Sequence, residues 1–179
     1  MTEMMVVGAI IAILTAVAVP NFLVWNSKYK LKAAVGELHG QISVARMAAM
    51  NQNTNVTVTV TQAATTSPVT VTYRTTAGAD VLPSLTLDSE VSLTNAGSVS
   101  VGAGVNSPQD VRFNAKGLRD DTGNANNLCI NATGGYTGAA CDNNFRQAFN
   151  FRNTRGFNYR IVVATTGKVS WCYTNTCAQ

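Results

Sequence analysis

Residues 4–27 read MMVVGAIIAILTAVAVPNFLVWNS, and no charged residue interrupts them. As an α-helix this stretch would extend roughly 36 Å, more than the roughly 30 Å of a bilayer's hydrocarbon core. A secretory signal would carry a basic start and a shorter apolar run. Here no Lys or Arg comes first, and the residue just before the run is acidic, Glu3. The expectation is an anchor segment from which a basic leader has been removed. Three details set it apart from a plain anchor. Glu3 stands at the mouth of the run, where a carboxylate in hydrocarbon costs several kcal/mol unless it is paired. Pro20 removes one helix hydrogen bond and favours a bend. Gly8, Ala9, Ala12, Ala16 and Ala18 are small enough to let another helix approach closely.

Beyond Pro20 the pattern becomes amphipathic. Leu31, Val35, Leu38, Ile42, Ala45 and Ala49 recur every three or four residues, while Lys28, Lys30, Lys32, Glu37, Gln41 and Arg46 fall largely on other faces. The helix is therefore expected to continue to about Asn51, where Asn51, Gln52 and Asn53 stop it. Val56, Val58 and Val60 then alternate with Thr57, Thr59 and Thr61, the period of two that marks a half-buried strand. Residues 69–73, 85–87, 91–93, 99–101, 111–113, 159–163 and 168–172 are further strand candidates, separated by Gly, Asn, Pro and Asp. The fold class expected is α+β, a long N-terminal helix packed on an antiparallel β-sheet domain. Its parts would be an apolar helix over 1–27, an amphipathic continuation over 28–53 and a β-rich globular domain over 54–179.

The string TEMMVVGAIIAILTAVAVPNF closely resembles the N-terminal segment of type IV pilins and of type II secretion pseudopilins. The likeness rests on Glu3 and on residues 5–7, 10–14 and 18–22. It implies a filament subunit that polymerises through this helix into a homo-oligomeric pilus, or a pseudopilus of a secretion system. It implies residence in a bacterial inner membrane before assembly, and partners in a prepilin peptidase and the pilus assembly machinery. By the resemblance Glu3 pairs with the N-terminal amine of a neighbouring subunit, and Gly8 and Pro20 belong to the packed assembly helix. The family's Glu usually stands fifth and its Pro twenty-second; here they stand third and twentieth, with the interval kept. Read directly, the resemblance places the methylated terminus at Met1; read by spacing, it places it two residues upstream. The family also tends to have a Gly in its Ile-Ile-Gly-Ile-Leu core, where this chain has Ala12.

A second resemblance concerns the domain. VRFNAKGLRD (residues 111–120) and YRIVVATTGKVSWCY (residues 159–173) look like segments of H-type minor pseudopilins and T-type minor pilins, which implies that Gly117 and Gly167 sit in turns. T-type minor pilins capture DNA through a basic Gly-Arg-x-Arg hairpin; here that hairpin reads Gly167-Lys168-Val169-Ser170 and lacks the second Arg. Arg146, Arg152, Arg155 and Arg160 interleave with Phe145, Phe149, Phe151, Phe157 and Tyr159, a composition suited to phosphate contact and base stacking. With Lys168 they form the candidate nucleic-acid contact. The favoured reading is different: the rings are core, and the guanidinium groups are solvated or paired.

Charged residues are only 12% of the chain, so Thr, Asn, Ser and Gly supply most of the surface polarity, as suits a protein packed against its own copies. The net charge of +4 is too small to indicate a nucleic-acid binder by itself. Cys129, Cys141, Cys172 and Cys177 show no CxxC spacing and lie far in sequence from the single histidine, His39, so two disulfides fit better than a zinc site. Pairing of neighbours, 129 with 141 and 172 with 177, is simplest, but all three connectivities remain open. No nucleophile elbow, phosphate loop or metalloprotease motif is present, so neither an enzyme nor a cofactor is expected. His39 reads as a surface or partner-facing residue. Asp120, Asp121, Asn124 and Asn126 read as a plain turn rather than a Ca²⁺ loop. Asn55-Val56-Thr57 and Asn131-Ala132-Thr133 match the glycosylation sequon, a pattern common by chance.

Overall fold

A computed structural model of the chain describes residues 2–63, 67–93, 109–120, 129–130, 136–137 and 146–173. The N-terminal half-pattern and the amphipathic half-pattern form one helix, α1 (Thr2–Asn51), which passes through Pro20 without interruption. The helix stops where Asn53 takes φ +50°, a left-handed conformation that Asn tolerates better than most residues. The Thr54 amide then closes onto the Ala49 carbonyl at 3.2 Å.

The chain next builds β1 (Val56–Thr61), β2 (Thr70–Thr75), β3 (Asp80–Thr86) and β5 (Gln109–Phe113) into an antiparallel sheet in the order β3-β2-β1-β5. Its register sets Val56, Val58 and Val60 opposite Thr75, Tyr73 and Val71 on one side and opposite Phe113, Val111 and Gln109 on the other. Alternation thus delivers one apolar face, as the sequence predicts. β3 begins earlier than the expected strand over 85–87 and contains Pro83. It lies at the sheet edge, where a missing N–H breaks no ladder.

The second sheet combines β4 (Val91–Leu93), β6 (Cys129–Ile130), β7 (Tyr136–Thr137), β8 (Arg146–Asn153), β9 (Asn158–Val163) and β10 (Val169–Tyr173), in the order β10-β9-β8-β6-β7 with β4 paired to β8. The strand candidate over 99–101 lies outside the described residues. α1 lies on both sheets. Leu31, Val35, Leu38, Ile42, Ala45 and Ala49 are fully buried against Val56, Val58, Val111, Phe113, Phe149, Phe151, Ile161 and Val163.

The two sheets also meet through their turns. Gly117 (φ +72°) closes a turn back to the Asn114 carbonyl, and Gly167 (φ +75°) closes one back to the Ala164 carbonyl. Both glycines therefore occupy the turns expected of them. The Arg119 amide donates to the Thr165 carbonyl across the gap at 3.1 Å. Arg46 of α1 donates from Nε to the Gly117 carbonyl (2.7 Å) and from Nη2 to the Thr166 carbonyl (3.1 Å). One side chain on the helix thus ties down a turn from each sheet.

Candidate functional site

The site is the half of α1 that the domain leaves bare, together with the neck where it leaves. Among the helix residues whose burial is described, Ser27 is the first buried one from the N-terminal side. Its carbonyl and its Oγ accept from the Asn153 side-chain amide at 3.2 and 3.1 Å, and its Oγ donates to Glu90 at 3.3 Å. Asn153 is held by its own turn, its Oδ1 accepting from the amides of Arg155 and Phe157. Lys30 lies 3.5 Å from both Asp88 and Glu90, and these carboxylates, Asp88 first, raise its pKa. The Lys28 ammonium stands 5.6 Å from the Phe157 ring and 5.7 Å from the Tyr173 ring.

N-terminal to this neck, among the described residues, the helix is exposed from Glu3 to Trp25. From Met4 to Trp25, thirteen large apolar side chains are between 39% and 80% exposed. Fully burying one such residue is worth about 1.5–3 kcal/mol, so covering thirteen half-exposed ones is worth on the order of 10–20 kcal/mol. That equals the whole stability of an ordinary domain, about 5–15 kcal/mol. The helix is long and apolar enough to cross a membrane. The hydroxyl midway along the run, on Thr15, is satisfied inside the helix by the carbonyls of Ile11 (2.9 Å) and Ala12 (3.0 Å), so it needs no water. Glu3 is exposed in the first turn, where the helix dipole favours a carboxylate. Gly8 faces open space, so its surface is free for close approach. Pro20 lies in the backbone of α1; Met1 lies outside the described residues.

The other sequence candidates scatter. Arg146 and Lys168 lie toward one end of the second sheet, Arg152 and Arg155 lie at the other, beside the neck, and Arg160 lies between them. Arg160 is a correction to the nucleic-acid grouping: it is buried, and its Nε donates to Asn150 Oδ1 at 2.8 Å. Phe149, Phe151 and Tyr159 are core, so these three rings offer no stacking platform; Phe157 is half-buried, and Phe145 lies outside the described residues. His39 is half-buried, with Nε2 3.3 Å from the Val169 carbonyl. Asp120 pairs with Arg112 at 3.5 Å; Asp121, Asn124, Asn126 and Asn131 lie outside the described residues. Among the described residues no group of His, Cys, Asp or Glu could hold a metal.

Cys172 is disulfide-bonded. Cys129 is placed on β6, while Cys141 and Cys177 lie outside the described residues. β9 and β8 intervene between β10 and β6. At about 4.8 Å per strand this separates Cys172 from Cys129 by roughly 14 Å, twice the reach of a disulfide. The connectivity joining 129 to 172 is thereby excluded, and the other two remain.

The neck residues Ser27, Asp88, Glu90 and Asn153 were not legible as a site, because the Ser27–Asn153 contact spans 126 positions. Only the turn-forming sequence Asn153-Thr154-Arg155-Gly156 marks that loop. No protein family, no curated protein and no solved structure matches the chain.

Proposed function

We propose that this chain is a structural subunit of a type IV pilin-like filament, held in a membrane by the projecting half of α1 before it polymerises through the same half. The observation that carries this reading is the bare helix over residues 4–25, continuous with a domain-bound half, with the order of 10 kcal/mol or more available for covering it. A bilayer and a bundle of identical helices both supply such cover. The resemblance of residues 2–22 to pilin N-termini selects the filament. Glu3 has no ion-pair partner among the described residues, which fits a role between subunits. DNA capture is the weaker reading, since Arg146 and Lys168 lie at the opposite end of the sheet from Arg152 and Arg155, and Arg160 is buried.

The test is to image filaments sheared from cells making wild type or Glu3→Ala, and to identify the subunit by mass spectrometry. Fibres containing this chain, lost in Glu3→Ala while the chain stays in the membrane fraction, support the proposal. Absence of the chain from both membranes and fibres overturns it.

A further inference from the structure

We infer that the end of the domain around the neck is a headgroup-binding collar, with Arg152, Arg155 and Lys28 engaging anionic phospholipids of the bilayer that holds the helix. This rests on the anchoring stage of the proposed function. The juxtaposition is set by the turn between β8 and β9. Asn153, bonded to Ser27, fixes that turn against the point where α1 emerges. Arg152 and Arg155 flank Asn153 and are exposed, and the hydrogen bonds they make are through their backbones, to Ser92 and Asn153 respectively. Lys28 sits on the same side, over Phe157 and Tyr173. Asp88 and Glu90, the nearby acids, are both engaged by Lys30. Arg152, Arg155 and Lys28 have no ion-pair partner among the described residues, so the collar keeps unspent positive charge.

The helix supplies the depth. Phe22, Trp25 and Tyr29 are each about 60% exposed and form a ladder, with ring centroids 6.2 and 5.8 Å apart. They lie where the apolar run gives way to the first lysine, the position that amphipathic rings take at a membrane interface. With the ladder at headgroup level, the turn carrying Arg152 and Arg155 faces the lipid surface. The complementary partner is a negatively charged headgroup.

The experiment uses the full chain in nanodiscs of phosphatidylcholine, with or without phosphatidylglycerol. In a Trp171→Phe variant Trp25 is the only tryptophan, and lipids brominated near the headgroup report its depth. Modification of Arg152 and Arg155 by phenylglyoxal, read by mass spectrometry, reports their cover, with exposed Arg74 on β2 as the internal reference. The expected results are quenching of Trp25 in both discs and a drop of about fivefold or more in arginine modification relative to Arg74 in anionic discs only, reversed by high salt. Quenching of Trp25 with arginine modification indifferent to lipid charge would overturn the collar and leave the anchoring standing. Protection that follows the number of chains per disc instead would assign the face to a second copy and also overturn it. An unquenched Trp25 would sink both the collar and the anchoring.

Discussion

Replacing Gly167 by Ala tests how the two sheets are joined. A Cβ there would run into the Gly117 carbonyl oxygen, a backbone atom, and lie 2.8 Å from Arg46 Nε. The backbone also sits at φ +75°, which costs an L-residue about 1–2 kcal/mol. Moving the turn aside would stretch the Arg46 bonds and the Arg119–Thr165 bond, adding about 2–3 kcal/mol. The expected loss is about 4 kcal/mol in all. Gly78→Ala is the control: its φ is +86°, yet nothing lies within 4 Å of the added methyl. It should lose only the conformational part, about 1–2 kcal/mol. In a chain of this size the two variants should melt about 10 °C and about 4 °C below wild type. Near-ultraviolet circular dichroism of the detergent-solubilised chain follows both. Equal losses in the two would refute the turn-to-turn contact, because the strained backbone would then explain everything.

Arg46→Met keeps the aliphatic stem and deletes the bonds to Gly117 and Thr166. It should cost about 2 kcal/mol in urea unfolding, and combining it with Gly167→Ala should cost less than the sum of the two. Tyr73 is fully buried, and burial, then the Glu37 carboxylate, raise its phenol well above the usual 10. Its contribution is intact below pH 10 and should be lost above it, because the unfolded phenol ionises first. Wild type minus Tyr73→Phe should therefore decline by up to about 1.4 kcal/mol per pH unit there, seen in urea midpoints taken on either side of pH 10; a flat difference would contradict the burial.

The helix and the first sheet were legible because each repeats one period. Ala45 and Ala49 are predicted core by spacing alone, and Val56, Val58 and Val60 by alternation; all are fully buried. β8 was not legible. Its sequence RQAFNFRN buries five consecutive positions from Gln147 to Phe151, so polar Gln147 and Asn150 break the apolar alternation that marks a strand. The same stretch suggested a nucleic-acid surface because composition does not show which way a side chain turns. Register does: Phe149 and Phe151 go to the helix side, while Arg160 lies opposite Asn150 within the sheet. The neck was illegible for another reason. Ser27 reads as the last polar residue of an apolar run, and only folding brings Asn153 to it.

The place where charge resumes and the place where burial begins are neighbours in the chain. Lys28 is the first charged residue after Glu3, and Ser27 the first one the domain covers. A helix that only needed to stabilise the domain would have its apolar side chains end with the sheets. Here they continue for about fifteen ångströms per ten residues into open space, on every side of the helix rather than on one stripe. An all-round apolar helix has no solvent-facing side, so no rotation about its axis relieves it. Folding back onto the domain would require a break, and α1 has none, even at Pro20. Among the described residues nothing in the chain covers it, and full cover would have to surround the helix completely. Lipid does this at once, and a bundle of parallel copies does it only when several assemble. On the proposed function the same surface serves a membrane-held monomer and a polymer, with the exchange between them set by how many copies meet.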